Sequence, residues 1–278
     1  MEWAISTTDL NKTYGINRVL SDVNLKVPYG SIYGFIGANG AGKTTTIRIL
    51  LGLAAATSGK AQVLGTERDT LPPTPLPGVS YLPDVPNLSP WLKARDALIT
   101  LARLDGISSD IAAERANDLL DLVGLKNAPG KVGTFSRGMK QRLGIAAALV
   151  NAPKLLILDE PTSALDPLGR VNLLAIMSEL AEHVTVMFSS HILSDVENIC
   201  THIGILHHGK LLAQGPLPSL LDGSPKTNEH LEITVSPANS TRVIEALKSI
   251  DSHIQVTKKN TGLEQLFDNL VKEQGGQQ

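Results

Sequence analysis

Residues 37–45 read Gly37-Ala38-Asn39-Gly40-Ala41-Gly42-Lys43-Thr44-Thr45, and their first eight fit the pattern G-x-x-x-x-G-K-[ST]. The flanks supply the context this pattern needs. Residues 31–36 (SIYGFI) form a short apolar run suited to a buried strand, and residues 44–51 (TTTIRILL) read as a helix start with an apolar face. A strand, a glycine loop and a helix in that order make a phosphate cradle. The helix N-terminus presents unpaired N–H groups and the positive end of its dipole. Gly37, Gly40 and Gly42 let the backbone wrap close to an anion. Lys43 is placed to meet terminal phosphates as a point charge, and Thr44 to put its hydroxyl on Mg²⁺.

The rest of the chain bounds what surrounds this loop. It has 278 residues, of which 42% are hydrophobic, enough for one large or two modest domains. The net charge of −2 and pI near 6.4 argue against a dedicated nucleic-acid binder. A single cysteine, Cys200, allows no intrachain disulfide and reads as a small core residue. No basic region followed by an apolar core opens the chain, and no run of 18 apolar residues occurs, so the expectation is a soluble protein whose membrane role needs a partner.

In chain order, residues 3–9 and 18–27 are expected as antiparallel strands, with Lys12 to Gly15 between them. Strands follow at 61–65 and 79–84, separated by the proline-rich stretch 70–78. Residues 85–150 carry helix-spaced apolar residues in three segments, 96–104, 110–123 and 136–150. In the second, Ile111, Ala116, Leu119, Leu120 and Val123 are expected on one buried face. This block reads as a helical subdomain inserted into an α/β core. Residues 155–158 and 184–188 are continuous apolar runs, as in parallel strands covered on both sides. Helices are expected at 167–183 and 195–200, a hairpin at 203–213 and a linker at 216–229. A small β-α-β-α appendix then closes the chain over 221–278.

Three further stretches carry chemistry. The run LLILDE ends in Asp159 and Glu160. A carboxylate closing a hydrophobic strand downstream of a phosphate loop suits a Mg²⁺ holder, and Glu160 beside it suits a general base for water. Ser136-Arg137-Gly138-Met139 opens a helix, either as an ordinary N-cap or as a second anion-binding cap. His191 follows a buried strand, where ligands bind in open α/β sheets; it is either a solvated loop residue or a phosphate contact.

Tyr14, GANGAGKT, the acidic residue after YLP, FSRGM, LLILDE, SALD and SSH share one register. Together they resemble the ATP-binding subunit of ATP-binding-cassette transporters over residues 3 to about 220. The F-S-x-G-M signature resembles that of the drug and antibiotic exporter branch. The resemblance implies a P-loop NTPase (RecA-like) core over 1–220, with an antiparallel β subdomain and the helical insertion at 85–150. It implies ATP and Mg²⁺ as ligands, a second ATPase subunit and an integral membrane permease as partners, and a cytoplasmic place at the membrane's inner face. By position, Tyr14 would stack on adenine, unless it merely packs, and Gly37 to Thr45 would bind the triphosphate. Asp159 would hold Mg²⁺, with Asp84 at the loop that touches it and reports to the permease. Ser136 to Met139 would cap the γ-phosphate of ATP held by the other subunit. Glu160 would activate water, Asp166 would link the two sites, and His191 would act as the γ-phosphate switch. Two positions depart from the family pattern. Asp84 stands where Gln or Glu is usual and is shorter, and Arg137 replaces the first glycine of the commoner LSGGQ.

Two other classes compete with a transporter subunit. A soluble relative acting on DNA or ribosomes typically needs a coiled-coil insertion or two cassettes in one chain, and this chain has one cassette. Asp84 gives some footing to a regulatory module without turnover, but Glu160 and His191 argue against it. Lys43→Ala is expected to abolish tight MgATP binding or hydrolysis, since charge-assisted contacts contribute about 1.5–3 kcal/mol each. Unchanged affinity and turnover in that variant would contradict the reading.

Overall fold

The computed structural model describes residues 2–68, 76–163, 165–222 and 243. The chain opens with β1 (Trp3–Tyr14), β2 (Asn17–Val23), β3 (Lys26–Pro28) and β4 (Ile32–Ile36), followed by α1 (Lys43–Leu50). Strands β5 (Ser58–Val63), β6 (Thr66–Glu67) and β7 (Val79–Leu82) come next. Helices α2 (Ala94–Leu104), α3 (Ser109–Leu122) and α4 (Arg137–Leu149) form the helical block. The remainder alternates: β8 (Leu155–Leu158), α5 (Pro167–Leu180), β9 (Thr185–Ser190), α6 (Leu193–Ile199), β10 (His202–His207), β11 (Lys210–Pro216) and α7 (Leu217–Asp222).

Two sheets divide these strands. Strands β2, β1, β5 and β6 lie side by side, with β3 also paired to β1, and every pairing is antiparallel. The second sheet runs β11-β10-β4-β9-β8-β7, parallel throughout except for the β10–β11 hairpin. Its centre is apolar by necessity. All residues of β4, β8 and β9 are buried, because a parallel strand between crossover helices has no solvent face. The main core gathers residues of both sheets and α1, among them Leu20, Phe35, Ile47, Leu155 and Met187. Among the described residues no helix is long and apolar enough to cross a membrane.

Several expectations shift. The segment 18–27 is two strands. Thr7 interrupts the ladder, its Oγ1 donating to Val23 O (2.7 Å) and accepting from Leu25 N (2.7 Å). Asp22 turns the chain through a left-handed φ of 50°. Strand β1 runs on through Tyr14, past the expected end at residue 9. On α3 the buried face is Ala112, Ala116 and Leu120, continuing to Val123, while Ile111 is half exposed. A residue five positions before Ala116 lies well off that stripe. The expected linker begins with helix α7, and its remainder, like the expected appendix at 221–278, falls almost entirely outside the described residues. Most of the proline-rich stretch 70–78 also lies outside them. Cys200 is buried, and burial pushes its thiol well above the usual range.

Helix α6 sits directly on β4. A Cβ added to Gly34 would lie 2.5 Å from Val196 Cγ1 and 2.8 Å from Cys200 Sγ. Gly34→Ala should therefore cost about 1–3 kcal/mol through overpacking. Urea unfolding measures this, and wild-type stability would contradict the packing described.

Candidate functional site

The parallel sheet sets the site by register. Ile36, the last residue of β4, pairs with Ser190 at the end of β9, and Leu158, the last of β8, pairs with Phe188. The segments that follow these strands therefore emerge side by side: the glycine loop after β4, Asp159-Glu160 after β8 and His191 after β9.

The loop itself is built on glycines for steric reasons. Gly42 caps α1 with φ 111°, and a Cβ there would meet Leu20 Cδ2 at 2.7 Å and Val19 O at 3.2 Å. A Cβ on Gly37 would sit 2.5 Å from Leu206 O. Strands β2 and β10 thus support the loop from behind. The N–H groups of Lys43, Thr44 and Thr45 precede the first intrahelical bond of α1, from Thr46 N to Gly42 O (2.9 Å). Ala38, Asn39 and Gly40 are exposed, whereas Ala41 is buried.

Lys43 is 5% exposed, and its ammonium has three acceptors. These are Gly37 O at 2.5 Å, Ala38 O at 3.3 Å and Glu160 Oε1 at 3.0 Å. The other Glu160 oxygen, Oε2, lies 2.8 Å from His191 Nδ1. A carboxylate only accepts, so Nδ1 carries the proton and Nε2 is left for another partner. Glu160 Oε1 has no partner with hydrogen-bond geometry. Its contact with Lys43 is an ion pair rather than an aligned bond.

Asp159 is 4% exposed and directly follows β8. Its Oδ1 accepts from Ser189 Oγ at 2.6 Å and lies 3.4 Å from Thr44 Oγ1. Tyr81, on the neighbouring β7, has its phenol pushed up to about 12, first by burial and then by the charges of Asp159 and Asp84. Glu160 itself has a left-handed φ of 48°, and its N–H donates to Ser189 Oγ at 2.9 Å. Ser189 has no sequence signal of its own; only the β8–β9 pairing shows what it touches.

A second cluster joins the helical block to this core. Asp84 Oδ1 accepts from Ser163 Oγ at 2.9 Å and lies 3.7 Å from Arg137 Nη2. Both ends of that ion pair are about half exposed, so it contributes only about 0–1 kcal/mol. Ser136 caps α4 through Met139 N (3.2 Å). Ser136 and Arg137 are exposed, and a Cβ on Gly138 would meet only Leu165 Cδ2 at 3.6 Å. Asp166 stands at the N-terminus of α5. Tyr14 ends β1 in the antiparallel sheet, 48% exposed, with Lys12 Nζ 4.5 Å from its ring centre. The structure thus brings Lys43, Thr44, Asp159, Glu160 and His191 into one network and Asp84 and Arg137 into another. Tyr14 and Asp166 belong to neither set of contacts.

Comparison with known proteins agrees with this architecture. The protein family described as ABC transporter matches residues 20–163. A bacitracin transport ATP-binding protein of Bacillus licheniformis is 42% identical over 247 residues, 88% of this chain and 79% of that protein. A lantibiotic transport ATP-binding protein of Streptococcus pyogenes is 41% identical over 226 residues, 80% of this chain and 93% of the relative. Among solved structures, an ATP-binding subunit of an ABC transporter superposes with a TM-score of 0.70 at 27% identity, covering 96% of this chain and 99% of that one. A bacterial ABC transporter cassette solved as a dimer gives a TM-score of 0.68 at 25% identity, over 77% and 98% of the two chains. The chain belongs to the ABC transporter family, among its ATP-binding subunits.

Proposed function

We propose that the chain hydrolyses MgATP at a site shared by two subunits and so drives a separate membrane permease, in the export direction, from the cytoplasmic face. The observation that carries this reading is the Glu160 carboxylate held between Lys43 and His191, next to Asp159. Nucleotide phosphates would lie against the N–H groups at the start of α1. They would also take the Lys43 ammonium, which two loop carbonyls hold by hydrogen bonds and Glu160 by an ion pair. One of these must give way, and Glu160 is the partner that a triphosphate outbids, having one charge against several. Released from the cation, the Glu160 carboxylate is free to accept a proton from the attacking water. His191 keeps it oriented through Nδ1; a contact from Nε2 to the γ-phosphate needs a proton on that nitrogen too, because phosphate oxygens only accept.

The residues fit a divalent cation. Thr44 Oγ1 and Asp159 Oδ1 lie 3.4 Å apart, and both are hard oxygen ligands. Among the described residues no three His, Cys, Asp or Glu side chains form a metal cage. Mg²⁺ would therefore be held by this pair together with the nucleotide's own phosphates, the usual arrangement for this ion. Bound there, it would neutralise phosphate charge during transfer. Asp84 would act from the Ser163–Arg137 cluster, at the junction with the helical block, rather than from within the Thr44–Asp159 pair.

Support for a shared site comes from Ser136 to Met139. The segment opens α4 on an exposed surface, and among the described residues a Cβ at Gly138 would meet only Leu165 Cδ2, at 3.6 Å. A glycine there makes sense where another subunit brings a phosphate close to the backbone. Asp166 would join the two sites and Tyr14 would stack on adenine. The ATPase body would span 1–220, with the helical insertion at 85–150. Bacitracin and lantibiotic transport by the relatives favours a peptide antibiotic as cargo of the permease.

Two outcomes test this. Specific activity should rise with protein concentration, and full activity from a monomer, checked by light scattering during turnover, would rule out the shared site. Glu160→Gln should lower turnover by about 10²–10⁴ while keeping or tightening ATP binding, so that a dimer accumulates on gel filtration with MgATP. Asp159→Asn should lose binding as well. Wild-type turnover in Glu160→Gln would remove Glu160 from the role of base.

A further inference from the structure

We propose that Ser189 is the positioning residue for the acidic pair: its hydroxyl fixes the Asp159 carboxylate and the Glu160 peptide at once. This rests on the reading of Asp159 and Glu160 given above. Ser189 is fully buried on β9, one residue before the end of the strand. A hydroxyl has one proton to give and lone pairs to accept. Ser189 Oγ gives its proton to Asp159 Oδ1 (2.6 Å) and accepts the N–H of Glu160 (2.9 Å). Each contact fixes the other, because a hydroxyl oriented to donate to Asp159 presents its lone pairs to Glu160 N.

The Glu160 contact matters because of its backbone. A glutamate at φ 48° occupies a left-handed region that L residues disfavour. Something must hold it there, and the bond from its own N–H is the direct candidate. That conformation also aims the side chain at Lys43 and His191, which lie on two different segments. Freed from Ser189, the peptide can relax to negative φ and carry the carboxylate away from both. Ser189 and His191 are two residues apart. One short segment therefore sets the backbone of Glu160 through Ser189 and its side chain through His191.

The test compares Ser189→Ala, Ser189→Thr and Ser189→Val in the full chain, with Glu160→Gln beside them. Thr and Val match in shape and differ in the hydroxyl. Loss of precise placement costs turnover rather than affinity, so the Ala and Val variants should fall about tenfold or more in kcat with nucleotide binding in the absence of Mg²⁺ within about threefold. Ser189→Thr should stay within about threefold of wild type. Independently of activity, the Glu160 amide, followed by NMR without nucleotide or metal, should exchange about tenfold faster in Ser189→Val than in Ser189→Thr. Equal turnover and equal amide exchange in the Thr and Val variants would overturn the proposal. So would Ala and Val variants that fail to fold while Thr folds, since the hydroxyl would then be structural. Failure of the base assignment reads out separately, as wild-type turnover in Glu160→Gln.

Discussion

The parallel pairing of β4, β9 and β8 is the constraint on which the rest depends. Each strand is buried along its whole length, and their registers bring Ile36 level with Ser190 and Leu158 level with Phe188. Three functional segments then begin within reach of one another without any loop having to find its partner. Lys43 crosses from the first to the second, and Glu160 is clasped between the first and the third. The charges are buried only because they are matched: Lys43 meets two carbonyls and a carboxylate, and Asp159 meets two hydroxyls.

Much of this was legible in the sequence because it is written in local signals. The runs SIYGFI, LLIL and VTVMF announce buried parallel strands, and the glycine loop between strand and helix announces the cradle. What stayed hidden depends on contacts between distant segments. Ser189 sits in a polar pair at a strand end, and only its neighbour on β8 distinguishes it from Ser190. The Asp84–Ser163–Arg137 cluster joins the residue before the helical insertion, the start of its last helix and a loop beyond it, so no spacing rule could reveal it. The break between β2 and β3 comes from the Thr7 hydroxyl replacing a ladder bond, a side-chain effect invisible to alternation. Ile111 misled because apolar character is not burial; it opens α3 on the exposed side.

Asp84 and Arg137, the two positions read from the sequence as departures from the resembled pattern, form a pair of opposite charges at 3.7 Å. The two departures from the family pattern thus answer each other within one chain. Their attraction is weak and screened by salt.

The central claim is that one ammonium serves both Glu160 and the triphosphate, so that nucleotide binding releases the base. It is tested most directly by a crystal structure of the full chain with Mg²⁺ and a non-hydrolysable ATP analogue. The account predicts Lys43 Nζ within about 2.7–3.2 Å of a phosphate oxygen. It also predicts that Glu160 will be detached from Lys43 and still held by His191 Nδ1. A bound analogue with the Lys43–Glu160 contact intact and no phosphate on Lys43 would contradict it.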